Sequence, residues 1–196
     1  MISPRRPAIP FPFLRLMVLV LILAGCSMPR VIVLNDPLDA REHNDLGVSY
    51  QARGEYDLAV KEYDRAAELD TTWARPLINR GNAYAARSSW EDAGESYRRA
   101  LDRDPDNAEA MNNLAWVLLR QGQAREAGEW ARRAVEIDPG EPAYLDTLAD
   151  CFIDVGEIDS AKRTLRQALD LSPPPALREI LETKLLTLKE GSNPAR

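Results

Sequence analysis

The chain has 196 residues, 25 Lys and Arg against 31 Asp and Glu, and a formal net charge of −6. So acidic a balance argues against DNA, RNA or anionic lipid headgroups as partners, because the surface repels phosphate. Two cysteines and one histidine cannot supply a disulfide framework or the several Cys and His ligands of a zinc site.

In chain order, residues 1–15 hold Arg5, Arg6 and Arg15 and no acid, and nine apolar residues follow without a break (LMVLVLILA, 16–24). A membrane-spanning helix takes about twenty such residues. A positive start, a short apolar run and small residues at its end make a secretory signal over 1–25. The stretch LAGC (23–26) resembles a bacterial lipobox. The resemblance implies cleavage before Cys26, a diacylglyceryl group on its thiol and a further acyl chain, such as palmitate, on the new amino terminus. Two or more chains anchor stably where one binds marginally. An uncleaved anchor or a plain signal with a chance cysteine is the alternative. Arg5-Arg6 matches a twin-arginine signal poorly. By the sorting rule of enteric lipoproteins, Ser27 favours the outer membrane facing the periplasm. Cleavage leaves about 170 residues with a net charge of about −9, so the connection to the membrane is covalent and not electrostatic. Residues 26–39 read as the lipidated cysteine and a tether. Within the tether, VIVL (31–34) either pairs or docks on the first helices, or is plain linker.

From residue 40 the sequence repeats at a spacing of 34. Gly47, Gly81, Ala115 and Ala149 form one register, and Tyr50, Tyr84, Leu118 and Phe152 a second. Ala59, Ala93, Ala127 and Ala161 form a third, and Ala66, Ala100, Ala134 and Ala168 a fourth. Pro105, Pro139 and Pro173 close three of the units, with Thr71 where the first proline would stand. Period and small/large pattern resemble the tetratricopeptide repeat (TPR). The resemblance implies an all-α helical solenoid of four helix–turn–helix units, 40–73, 74–107, 108–141 and 142–175. Small residues are expected where helices A and B of a unit approach, since a larger side chain would force the backbones apart. The second register fills the wedge between helices. Gly54, Gly122 and Gly156 end helix A in a left-handed conformation. Ser88 takes that place in the second unit and, with Glu91, is expected to form a capping box for helix B. Leu177, Ile180, Leu181, Lys184, Leu185 and Leu188 follow helical spacing and predict a capping helix over 176–190. The tail 191–196 reads as disordered.

No catalytic constellation is present, and no cofactor is implied. His43 falls at a packing position of helix A and reads as structural. Cys151 reads as a small buried hydrophobe, and no glycine-rich phosphate loop follows a strand. The chain is therefore expected not to be an enzyme and to hold no metal.

The resemblance places binding on the concave surface lined by the A helices. Carried over place by place, it assigns Arg41, Asn44, Asp45, Val48 and Gln51 in the first unit, and Arg75, Ile78, Asn79 and Asn82 in the second. It assigns Asn112, Asn113, Trp116, Leu119 and Arg120 in the third, and Asp146, Thr147, Asp150, Ile153 and Asp154 in the fourth. The dicarboxylate clamp of some relatives is not supported, since Asn44 and Glu109 stand where it needs basic residues. Asn79 and Asn113 can pair with an extended peptide backbone or be family consensus. Trp116 is either a binding anchor or a packing residue. Asp146, Asp150 and Asp154 recur every four residues, as a solvated stripe or as a surface for a basic partner. Each like-charge pair costs about 0.2–0.5 kcal/mol, so asparagine in their place is expected to leave the fold unchanged or slightly steadier. The function implied is a lipid-anchored adaptor or scaffold for protein partners at the bacterial envelope. Lipoproteins of this architecture help assemble secretins and pili, or bring hydrolases to the envelope. The alternative is a pilotin-like targeting chaperone for a secretin, pilus or secretion system.

Overall fold

The computed structural model describes residues 36–190. The signal, Cys26, the VIVL segment and the tail 191–196 lie outside them. Nine α-helices and no strand occur among the described residues, all within the unit Leu38–Arg196. They are α1 (Ala40–Ala52), α2 (Tyr56–Leu69), α3 (Arg75–Ala86), α4 (Trp90–Arg103), α5 (Ala108–Arg120), α6 (Ala124–Ile137), α7 (Pro142–Asp154), α8 (Ile158–Asp170) and α9 (Pro175–Glu190). Odd-numbered α1 to α7 are the A helices, each followed by its B helix, and α9 closes the solenoid. None of them is long and apolar enough to cross a membrane.

Local chemistry sets the helix ends. Asp39 and Glu42 form a reciprocal capping box that opens α1 and satisfies amides that no helical carbonyl can reach. The side chains of Asn107 and Glu141 accept amide hydrogen bonds at the starts of α5 and α7. Gly54, Gly122 and Gly156 take φ of +75°, +75° and +82° in the A–B turns. Ser88 takes φ of +60° at the equivalent place, which costs a residue with a Cβ more than it costs glycine. The expected Ser88–Glu91 capping box does not form. The N-cap of α4 is Ser89, without a side-chain cap bond, so Glu91 falls one place short of the position the box requires. Where Thr71 replaces the repeat proline, Asp70 builds the turn instead. Its carboxylate accepts from the Thr72 amide and hydroxyl and from the Trp73 amide. The Thr72 hydroxyl, first among these donors, holds the Asp70 carboxyl below its usual range. Arg103 then ties the turn to α4 through the carbonyls of Ala67, Asp70 and Trp73.

The core repeats with the sequence. All eight alanines of the third and fourth registers are fully buried. Within each unit the tight place of helix A is matched by a place in helix B, sixteen residues on. A Cβ on Gly47 would lie 2.5 Å from the Tyr63 ring, and one on Gly81 would lie 2.5 Å from the Tyr97 ring. The third unit has Ala115 with Ala131 and the fourth has Ala149 with Leu165, all fully buried. Glycine thus makes room for tyrosine, and alanine goes with a smaller partner. Neither tyrosine leaves its hydroxyl unpaired: Tyr63 donates to Gln51 Oε1 at 3.0 Å and Tyr97 to Asn82 Oδ1 at 2.7 Å. Burial pushes the Tyr63 hydroxyl up to about 12 and Tyr97 higher still. In the wedge register only Leu118 is fully buried. Tyr50, Tyr84 and Phe152 are partly exposed, and the Arg53 guanidinium covers the Tyr50 ring at 4.7 Å. Leu181 and Leu185 of α9 join Leu145, Ala149, Leu165 and Ala168 in the last core cluster, as a cap requires.

The matched pair of the second unit is directly testable by denaturant unfolding. Gly81→Ala should destabilise by about 1–3 kcal/mol through overpacking. Combined with Tyr97→Leu, which recreates the pairing of the fourth unit, it should cost clearly less than the two single changes added. Gly94→Ala, whose Cβ would meet only the mobile end of Arg98 within 3.4 Å, should be neutral or stabilise by up to about 1 kcal/mol. Strict additivity at Gly81 and Tyr97 would contradict the matching.

Candidate functional site

Each helix packs on the next, and the A helices also touch across units, α1 with α3, α3 with α5 and α5 with α7. No two B helices make comparable contact. The A helices therefore form the inner surface, and the side chains they turn away from the B helices line a groove.

In the first half of the groove, polar side chains link successive units. Asn79 donates to Asn44 Oδ1 at 2.8 Å, and Asn113 donates to Asn82 Oδ1 at 3.2 Å. Asn82 also receives the Tyr97 hydroxyl, so its oxygen is shared between the core and the next unit. Arg75 and Glu109, which hold the same place in adjacent units, pair at 2.6 Å. Arg80, buried beneath this surface, reaches Asp64 at 2.6 Å and Ser96 at 3.0 Å. Asn79, Asn82 and Asn113 keep partial exposure, so each can still meet a ligand from the groove. Asn112 is different. Its Oδ1 is buried without a hydrogen-bond partner among the described residues, an arrangement that costs about 1–3 kcal/mol.

The second half is more open. Trp116, Leu119 and Arg120 of α5 and Asp150, Ile153 and Asp154 of α7 line one concavity of about 290 Å³. These six residues come from two helices of adjacent units, so the repeat spacing alone brings them together. Trp116 packs against a neighbouring helix and still keeps an accessible face. Its ring meets Trp90 edge to face, with centroids 5.4 Å apart and planes at 76°, yet 41% of the residue stays exposed. Arg120 lies over the Trp90 ring at 5.3 Å, which orients both the guanidinium and the aromatic pair.

The aspartate stripe is not a row of solvated like charges. Lys184 of α9 places its Nζ 2.7 Å from Asp146 Oδ1 and 2.7 Å from Asp150 Oδ1. Burial alone would lower the lysine's pKa, but hydrogen bonds to the two carboxylates raise it above its usual value. Burial likewise pushes the Asp150 carboxyl up, against the opposing effect of Lys184. Asp154 is exposed and makes no ion pair among the described residues. Replacing Asp146 and Asp150 by asparagine would therefore remove a paired contact and not only a like-charge repulsion. The sequence signal for this contact was present, since Lys184 stands 34 residues after Asp150, the same repeat place carried into the cap.

His43 is buried and its Nδ1 lies 2.7 Å from Glu62 of α2, a contact that ties α1 to its B helix. Cys151 is buried and its thiol is pushed up to about 12, first by burial and then by nearby carboxylates. Such a thiol is a poor nucleophile at neutral pH. Among the described residues no group of three or more His, Cys, Asp or Glu is placed to hold a metal ion.

The Lys184 contact makes a prediction opposite to that of a solvated stripe. Asp146→Asn together with Asp150→Asn should lower stability by about 1–2 kcal/mol, since the partly buried ammonium is left unmatched. Thermal unfolding checks this. An equal or higher melting temperature would show that the ion cluster contributes nothing to the fold.

Family models described as tetratricopeptide repeat match residues 40–73, 78–142 and 143–175. Among curated proteins no sequence matches the chain significantly. Several solved structures share the fold. Pseudomonas aeruginosa pilF is 24% identical with a TM-score of 0.68, over 79% of this chain and 71% of that one. MamA is 23% identical with a TM-score of 0.65, over 70% and 80% respectively. YrrB, described as a TPR protein with an unusual peptide-binding site, is 22% identical with a TM-score of 0.63, over 79% and 80%. At these identities the likeness is one of fold alone. The repeats matched from residue 40 to residue 175, and the helix pairs that carry them, make this chain a member of the tetratricopeptide repeat family.

Proposed function

We propose that the chain is a lipid-anchored adaptor or scaffold of the bacterial envelope, which holds a protein partner in the groove of its A helices. Tetratricopeptide repeats are protein-interaction modules, and the observation that carries the proposal to particular residues is the concavity around Trp116. An exposed indole, with Leu119 and Ile153 beside it, offers an apolar anchor of the type that dominates binding energy. Asp150 and Asp154 on its rim favour a segment with basic character, selecting partners and speeding encounter more than adding affinity. YrrB, a relative in fold, is described as having a peptide-binding site, which supports a peptide-like ligand. Recognition is the whole activity in this reading, and no bond is made or broken.

The lipobox-like LAGC supports acylation at Cys26, and Ser27 supports the outer membrane, with the solenoid in the periplasm. A second reading, a targeting chaperone for a secretin or pilus subunit, draws on the apolar wall of the concavity. An unassembled apolar segment would fit there as well as a folded partner's edge. Loss of a chaperone strands its subunit in the wrong membrane, whereas loss of an adaptor leaves its partners in place.

Two experiments test the proposal. A photoreactive residue at position 119, on the same concavity with Trp116 left in place, should crosslink a specific protein in cells. Trp116→Ala should then weaken binding of that protein by about 2 kcal/mol or more, while Asp154→Asn should chiefly flatten its salt dependence. Unchanged binding by both folded variants would move recognition off this surface. Separately, Cys26→Ala should abolish incorporation of labelled fatty acid and leave the signal uncleaved. Equal labelling of variant and wild type would end the lipoprotein reading.

A further inference from the structure

α7 aligns three carboxylates along the groove, and the chain itself supplies a cation to two of them. Lys184 reaches Asp146 and Asp150 at 2.7 Å each. Asp150 is the shared member, because it also lines the concavity with Trp116 and Asp154. The contact is not all that seats the cap. Leu181 and Leu185 already fix α9 in the last core cluster, and an apolar side chain at 184 would have avoided the desolvation of a partly buried ammonium. What the lysine changes is the charge that the groove presents. With Lys184 and Arg120 set against Asp146, Asp150 and Asp154, one negative charge is left uncompensated, beside the exposed face of Trp116. Without Lys184 there would be two.

We infer that Lys184 is a specificity-determining residue of the groove: by occupying Asp146 and Asp150 it limits the partner to a single cationic group, received at Asp154 next to Trp116. This rests on the proposal that the groove takes a basic, partly apolar segment. The capping helix is then part of the binding site and not only its end wall. A segment with one basic residue near an apolar one is accepted, and a densely basic segment gains nothing further from its extra charges.

The test uses the full chain in detergent and two fluorescently labelled peptides on a Gly/Ser frame with a central leucine, one carrying a single lysine and the other three. Wild type should bind the two within about threefold of each other. Lys184→Met should bind the three-lysine peptide about tenfold more tightly than the one-lysine peptide, and high salt should erase that preference. Lys184→Arg should restore the wild-type ratio, which a merely structural role for the side chain would not predict. A folded Lys184→Met variant that keeps the wild-type ratio would overturn the inference and leave the groove reading standing. Wild type that already prefers three lysines by tenfold or more would overturn it without any variant, even if Lys184→Met fails to fold. Wild type that binds neither peptide would overturn the groove reading and this inference together.

Discussion

Everything in this solenoid depends on how closely helix A approaches helix B within a unit. The two backbones meet at one repeat place, and the volume available there is divided between two side chains. Gly47 and Gly81 give up their share to the Tyr63 and Tyr97 rings, at distances that no Cβ would tolerate. Ala115 and Ala149 keep a methyl and go with Ala131 and Leu165. Because protein interiors are close-packed, a mismatch at this place must move a helix. Moving a helix changes its angle to the next unit, and with it the spacing of the residues that line the groove.

Constancy inside the units allows the inner surface to vary. Toward the N-terminus, amides and ion pairs bridge neighbouring A helices, as in Asn44 with Asn79, Asn82 with Asn113, and Arg75 with Glu109. These contacts stitch the units and leave the surface polar. Toward the C-terminus, Trp116 and Asp150 take the place that Asn82 holds in the second unit, and the lateral bridges give way to an open concavity. Lys184 restores a bridge once more at the cap. The groove is thus closed by polar contacts on both sides of the Trp116 concavity, which is the property that makes this segment the binding surface in the function proposed here.

Much of the fold was legible in the sequence because a repeat multiplies each weak signal by four. Alanine at one position says little, but Ala59, Ala93, Ala127 and Ala161 in step identify a helix contact, and all four are buried. Single occurrences were harder. Ser88 takes the left-handed place of the turn glycines, but the capping box expected of it fails because α4 starts one residue later. The site was legible as places on a surface, not as partnerships. That Trp116 would lie edge-on to Trp90 depends on a B-helix residue outside the repeat registers. In sequence Asp146 and Asp150 read as uncompensated charges, because their cation comes from α9, whose apolar stripe marks it only as a cover. Had the 34-residue register been carried through α9, Lys184 would have fallen beside Asp150. The proposed lipid anchor rests on a short motif at Cys26, which lies outside the described residues.

The central claim is that partners bind on the A-helix surface at the Trp116 concavity. Its most direct test is a ¹H–¹⁵N spectrum of the tryptophan indoles during titration with the protein crosslinked at position 119. The chain has four tryptophans, and they sample different surroundings: Trp116 lining the concavity, Trp90 edge to face against it, Trp130 on α6, and Trp73 in the turn before α3. The Trp116 indole should shift most, Trp90 should follow it, and Trp73 and Trp130 should stay in place. Shifts confined to Trp73 or Trp130, with Trp116 unmoved at saturation, would contradict the claim.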